Sequence, residues 1–178
     1  IAAEPDTVAG LYKNYIMLLA AIPAVFGFLK GSVIGYSMFG VTVRTPFVSG
    51  VIGMLVAYGL TLVVVYLVAM IINALAPSFG GEKNEVQALK TAAYTYTASW
   101  IASFATIVPW LGWLIVIAGA IYGIYLLYLG LPNTMRCPQD KSVGYTIVTI
   151  IIGFILSLLV GLVVGGITAA GTTAGAIN

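Results

Sequence analysis

Charge is scarce in this chain. Of its 178 residues only 7% are charged, 61% are apolar, and the mean hydropathy is +1.11. A soluble domain carries about a quarter charged residues. So few charges cannot cover a water-facing surface. That excludes a soluble globular domain, a disordered chain and a nucleic-acid binder, and leaves an integral membrane protein. Histidine is absent, which removes imidazole bases, histidine-ligated haem and the common transition-metal sites. The single cysteine, Cys137, excludes an internal disulfide and any paired-cysteine metal knuckle. The net charge of +2 is too small to argue by itself for a polyanionic partner. The sequence starts at Ile1 rather than a methionine, so the chain is expected to continue upstream and a leader cannot be judged.

What is present is a series of long runs without charge. Thr45–Gly81 holds 37 residues, Thr91–Met135 holds 45 and Ser142–Asn178 holds 37. A spanning helix needs ~20 apolar residues, so the 45-residue run has room for two spans. The Val108-Pro109-Trp110-Leu111-Gly112 stretch supplies the turn between them. The resulting expectation is an all-α membrane bundle of five transmembrane helices in one domain, residues 1–178. The spans fall at about 15–36, 46–76, 85–107, 113–131 and 143–167. Pro23 and Gly27 interrupt the first. Thr45 is placed as N-cap of the second, with Pro46 at its first helical position. Asn84 caps the third, with Gln87 reaching back as in a capping box. Pro132 stops the fourth, and Asp140 caps the fifth. Residues 31–43 are too short to span and alternate partly, which reads as an ordered interfacial loop with hairpin character. The tail after Ile167 reads as loose.

Orientation follows the bias of Lys and Arg toward cytoplasmic loops. Lys13, Lys83, Lys90, Arg136 and Lys141 share one side, against Lys30 and Arg44 on the other. The N-terminus is therefore expected in the cytoplasm, the C-terminus outside, and Trp110 and Trp113 in the outer aromatic belt.

Four constellations stand out. Lys83, Lys90, Arg136 and Lys141 form a candidate patch for anionic lipid or a partner, although a plain topology signal is the favoured reading. Tyr122, Tyr125 and Tyr128 recur every third residue along one helical strip, for which packing and interfacial anchoring are favoured over a pocket lining. Tyr94, Tyr96, Thr97, Ser99 and Trp100 make the most polar stretch within a span. They fit a substrate path, but hydroxyls in a bundle more often bond neighbouring helices or their own backbone. Gly153, Ser157, Gly161, Gly165 and Ala169 are spaced by four, a face suited to close helix packing, and Gly119 and Gly123 repeat the spacing. No acid or base lies deep in the second to fifth spans, which lowers an ion-coupled carrier. Glu82, Glu85 and Asp140 fall where capping and helix-dipole roles explain them. No catalytic, cofactor-binding or metal-ligating set is found. Cys137, between Pro132 and Pro138, is expected in a water-open loop, its thiol pKa lowered by Arg136 and Lys141.

Three stretches taken together resemble a known family. They are Ala74-Leu75-Ala76-Pro77-Ser78-Phe79-Gly80-Gly81 leading to Asn84 and Gln87-Ala88-Leu89-Lys90, then Ala93-Tyr94-Thr95-Tyr96-Thr97 with Trp100, then Tyr125-Leu126-Leu127-Tyr128-Leu129-Gly130-Leu131-Pro132 followed by Cys137-Pro138-Gln139-Asp140-Lys141 and Gly144-Tyr145. In this order they resemble the bacterial branch of the Yip-one (Ypt-interacting protein) domain family, over roughly Leu11 to Gly165. The resemblance implies five helical spans, a cytoplasmic N-terminus and a bacterial inner-membrane location. Eukaryotic relatives bind prenylated Rab GTPases, but their Asp-Leu-Tyr-Gly-Pro motif has no counterpart in this chain, so that partner is not carried over. The expected role is a non-enzymatic inner-membrane scaffold or accessory subunit. It would associate with membrane lipids, other integral membrane proteins or further copies of itself. A small-molecule carrier or channel is the runner-up.

Overall fold

A computed structural model describes residues 7–38, 41–108 and 111–175, and the side chains of Met38 and of residues 171–175 are outside that description. Among the described residues the fold has five helical segments and one short hairpin. Helix α1 is Val8–Ile34, and it contains two wider turns of π type, Tyr12–Ile16 and Leu29–Ile34. Strands β1 (Tyr36–Met38) and β2 (Val41–Val43) follow. They pair antiparallel, Tyr36 opposite Val43 and Ser37 opposite Thr42. Helix α2 is Phe47–Leu75, continued by a 3-10 turn over Ala76–Phe79. Helix α3 is Glu85–Ala102, continued by a 3-10 segment Ser103–Ile107. Helices α4 and α5 are Gly112–Thr134 and Gln139–Gly175.

The all-α expectation holds. Among the described residues, four segments are long and apolar enough to cross a membrane: Val8–Ile34, Phe47–Phe79, Gly112–Thr134 and Gln139–Ala170. Helix α3 is the polar exception, and its place explains why. It packs against both α2 and α4, while α5 lies along α2 and α1 covers α2 and α3. A helix flanked by other helices can carry hydroxyls, because their partners are protein groups rather than lipid.

Several boundaries differ from the sequence reading for identifiable reasons. Helix α1 begins at Val8, seven residues earlier than expected, because Thr7 caps it: the Thr7 hydroxyl accepts from the Gly10 N–H at 3.1 Å. Pro23 lies inside this helix without ending it. The break comes at Gly35, whose φ of +89° only glycine adopts readily, so residues 31–34 belong to α1 and the hairpin starts after them. Thr45 is not the cap of α2. Pro46, with ψ 141°, is still extended and itself occupies the cap position. Asn84 does cap α3, accepting from the Gln87 N–H at 3.1 Å, but Gln87 Oε1 does not return the bond. Pro132 does not stop α4, which runs on to Thr134. Asp140 lies in the first turn of α5, not at its cap. The tail expected to be loose is helical through Gly175. Trp110, assigned to an aromatic belt, is outside the described residues, whereas Trp113 is exposed.

The core is concentrated at one end of the bundle. Ile16, Ile72, Leu89, Leu131, Met135 and Tyr145 are all fully buried. They lie toward the ends of the helices that meet the 80–84 and 135–138 connections. Toward the other end α1, α2 and α5 enclose a cavity rather than a filled core, and the lipid-facing side of α5 exposes Leu158, Leu159 and Leu162.

Candidate functional site

Two regions collect the side chains singled out in the sequence. The first is a knot at the end that carries Lys83, Arg136 and Lys141. Gly80 takes a left-handed conformation, φ +77°, and turns the chain so that Gly81 N–H reaches the Ala76 carbonyl at 2.8 Å. A Cβ at Gly81 would stand 2.6 Å from the Met135 carbonyl oxygen, so only glycine lets the two connections touch there. Glu82 N–H then donates to that same carbonyl at 2.8 Å. Phe79 stacks flat on Tyr145, centroids 4.8 Å apart and planes 4° off parallel. The Tyr145 hydroxyl donates to the Ile72 carbonyl. Stretches distant in sequence thus lock three helix ends together.

The candidate basic patch is only partly realised. Lys83, Arg136 and Lys141 are exposed, but Lys90 is fully buried. It lies in a run from Ala88 to Ala93 that is buried throughout, since α3 is surrounded by neighbours at this level, so Lys90 is not part of a surface patch. Arg136 is paired with Glu82 at 3.0 Å. Cys137 is also corrected: it is 5% exposed, because Gly81 packs against it. Burial pushes its thiol above the ordinary value, a backbone hydrogen bond opposes this, and the Asp140 carboxylate raises it further. Desolvation outweighs the neighbouring cations that the sequence reading relied on. A cavity of about 180 Å³ opens beside the knot, lined by Asn73, Lys83, Glu85 and Tyr66 among others. The Asn73 Oδ1 is buried there without a hydrogen-bond partner.

The second region surrounds Tyr96, nearer the middle of the bundle. The polar stretch of α3 divides its labour. Thr97 donates to the Ala93 carbonyl at 2.8 Å and shares a 2.9 Å hydrogen bond with the Tyr15 hydroxyl. Tyr94 packs its ring on Tyr15 at 5.4 Å. Those two are structural. Tyr96, Ser99 and Trp100 instead line cavities. One, of about 210 Å³, lies between α2, α3, α4 and α5 and is lined by Thr95, Tyr96, Ser99, Gly123, Thr149 and Ser157 among others. A second, of about 280 Å³, adjoins it and shares Tyr96, Ser99 and Ser157. Trp100 stacks on Tyr96 at 5.9 Å. A third, of about 250 Å³, lies toward the hairpin and shares Pro23 with the second. Sequence reasoning missed Thr149, Thr61 and Thr168 as lining residues, because isolated threonines in apolar helices give no spacing signal.

Of the two small-residue faces expected to pack closely, the α4 face does so and the α5 face does so only in part. Gly119 and Gly123 make the tight contact. A Cβ at Gly123 would be 2.5 Å from the Thr95 carbonyl oxygen, and one at Gly119 would be 2.5 Å from Ala102 Cβ. On α5, a Cβ at Gly153 would lie 3.5 Å from the Tyr96 hydroxyl oxygen, whereas one at Gly161 or Gly165 would meet nothing within 4 Å. Beyond Ser157 the side of α5 that carries Val160, Val164 and Thr168 stays against α2 and the cavities, whereas Gly161 has no neighbour within reach and Gly165 only borders the cavity toward the hairpin. Tyr122, Tyr125 and Tyr128 line none of these cavities and face outward. Among the described residues no group of histidine, cysteine or carboxylates is placed to hold a metal ion.

The convergence of the three sequence stretches on one bundle agrees with a family match, since the Yip1 domain model matches residues 1–171. The chain belongs to the Yip1 domain family. It is similar to Inner membrane protein YohC of Escherichia coli strain K12, 25% identical over 159 residues, covering 87% of this chain and 81% of that relative. The protein of the same name from E. coli O6:H1 matches equally well. No solved structure matches. This Yip1-family chain is a multi-pass inner-membrane protein.

Proposed function

We propose that this Yip1-family protein is a non-enzymatic scaffold or accessory subunit that works by association within the bilayer. The observation that carries the reading is the outer half of α5. Gly161 and Gly165 have open space where a Cβ would stand, and Leu158, Leu159 and Leu162 beside them are exposed. Within lipid, where every surface is equally apolar, close approach of small residues is one of the few ways to favour helix association. The packed knot anchors one end of this helix and α2 supports the Val160, Val164 and Thr168 side of the rest, so the opposite face with Leu158 and Leu162 is left exposed. A second integral membrane protein or another copy of the chain fits that face, with lipid filling the remaining groove.

A carrier or channel is the second reading, favoured by the cavities around Tyr96. Against it, no charged side chain lines the three cavities near Tyr96 and Pro23. The test is a photo-crosslinking residue at Leu162 in intact membranes. Association predicts a discrete protein adduct, of doubled mass if the partner is a second copy. Gly161→Leu should remove the adduct while leaving thermal stability unchanged. Adducts to lipid alone would refute the reading.

A further inference from the structure

The two cavities that meet at Tyr96, Ser99 and Ser157 form one crevice: the first reaches α4 and α5, and the second continues among α1, α2, α3 and α5. Its mouth is made by Ala120, Ile124 and Phe154, all exposed on helices that face the bilayer. Whatever enters comes from the hydrocarbon region. No charged group lines it, which disfavours an ion or a charged headgroup.

The hydroxyls inside are not equivalent. Thr95, Thr149 and Ser157 donate to the carbonyls four residues back at 2.8, 2.9 and 2.8 Å. Ser99 makes no such bond, yet it lines both cavities. An unpaired hydroxyl in an apolar medium is costly, and an occupant with a complementary group relieves that cost. Depth narrows the class. Tyr96 lies eleven residues beyond Glu85, roughly 16 Å along the helix at ~1.5 Å per residue. That is about half of a ~30 Å hydrocarbon core. Phospholipid headgroups stay at the interface, whereas uncharged lipids reach this depth. Size is compatible: an apolar cavity of ~150 Å³ holds a benzene ring, and the larger of the two here is about 280 Å³.

We infer that this crevice binds an uncharged bilayer lipid bearing a carbonyl or hydroxyl group, with that group on Ser99 and its hydrocarbon along the α4–α5 cleft. The shared chemistry is a neutral polar group on a long apolar tail. An isoprenoid quinone and a diacylglycerol are its two natural sources. The mouth lies on α4 and the inner half of α5, away from Gly161 and Gly165, so this site and the association face can be tested separately.

Trp100 is a built-in reporter. It is 4% exposed and lines the second cavity, so lipid outside the protein contacts it little. In a Trp110→Phe, Trp113→Phe variant it is the only tryptophan. The variant is reconstituted in nanodiscs of phospholipid containing dibrominated phospholipid, dibrominated diacylglycerol or an isoprenoid benzoquinone. Binding predicts saturable quenching at low mole fraction by at least one neutral lipid, and weak linear quenching by the brominated phospholipid. The responding arm identifies the source. Ser99→Ala should weaken the saturable phase about 2- to 10-fold, the loss of one hydrogen bond. Ala120→Phe should abolish it by filling the mouth, while Ile121→Phe, on the outer surface, should leave it intact. Linear quenching in every arm, unchanged by Ala120→Phe, would overturn the site. A saturable phase indifferent to Ser99→Ala would overturn the assignment of the polar group.

Discussion

The Ser142 hydroxyl donates to the Tyr128 carbonyl at 3.2 Å, and Tyr128 is the residue whose helical partner would have been the N–H that Pro132 lacks. Proline removes an i→i−4 bond and exposes the carbonyl one turn back. Here a serine from the next helix supplies the missing donor, and Ser142 is 1% exposed. This is how α4 runs through Pro132 to Thr134 where the sequence alone suggests a stop.

Ser142→Ala should therefore leave the part-buried Tyr128 carbonyl without this partner. The expected loss is about 1–3 kcal/mol. Pro132→Ala restores the N–H, so the double variant should recover most of that loss. Reversible unfolding in mixed micelles measures all three. Strict additivity of the two single changes would show that the serine and the proline are not coupled.

The glycines of α4 and α5 should respond in opposite ways. Gly123→Ala places a Cβ 2.5 Å from the Thr95 carbonyl oxygen, a backbone atom that cannot swing aside. Overpacking of this kind costs about 1–3 kcal/mol. Gly161→Ala meets nothing within 4 Å and should match or slightly exceed the parent, since alanine is the better helix former. Thermal stability in detergent compares them directly, and equal destabilisation by both would contradict the packing described for α4.

The contrast marks where sequence reasoning succeeds. Charge-free runs and caps locate five helices, because the bilayer enforces length and hydropathy on each segment separately. Asn84 acts within its own turn, so its cap is legible. Ser142, by contrast, acts across a loop on Tyr128, and its role depends on the pairing of two helices. Spacing in a sequence states that Gly119, Gly123, Gly161 and Gly165 each lie on a small-residue face. It does not state which face meets a neighbour. Lys90 is misread for the same reason: a lysine one turn inside a helix looks interfacial until the helix is seen to be central. The crevice is partly legible, since Tyr96, Ser99 and Trp100 mark it on α3, but Thr149 and Ser157 reach it only through the packing of α5.

Cys137 ties accessibility, ionisation and topology together. Its thiol is buried against Gly81 and its pKa is raised by desolvation. The unfolded thiol ionises first as pH rises. The neutral buried form therefore contributes stability that is fully present below the ordinary thiol pKa, and this contribution is lost as pH climbs through the raised folded value. Alkylation of the folded protein should be slow at neutral pH, accelerate with alkali, and accelerate much more on unfolding. Cys137→Ala should flatten the alkaline part of the stability profile. Because Cys137 is shielded, the topology is read from Lys83, which is exposed in the neighbouring connection. In a Cys137→Ala background, Lys83→Cys should react with a membrane-impermeant maleimide in inside-out vesicles and stay unlabelled in intact spheroplasts, as the bias of basic residues toward the cytoplasm requires. Labelling in spheroplasts would invert the bundle and place Lys83, Arg136 and Lys141 outside the cell.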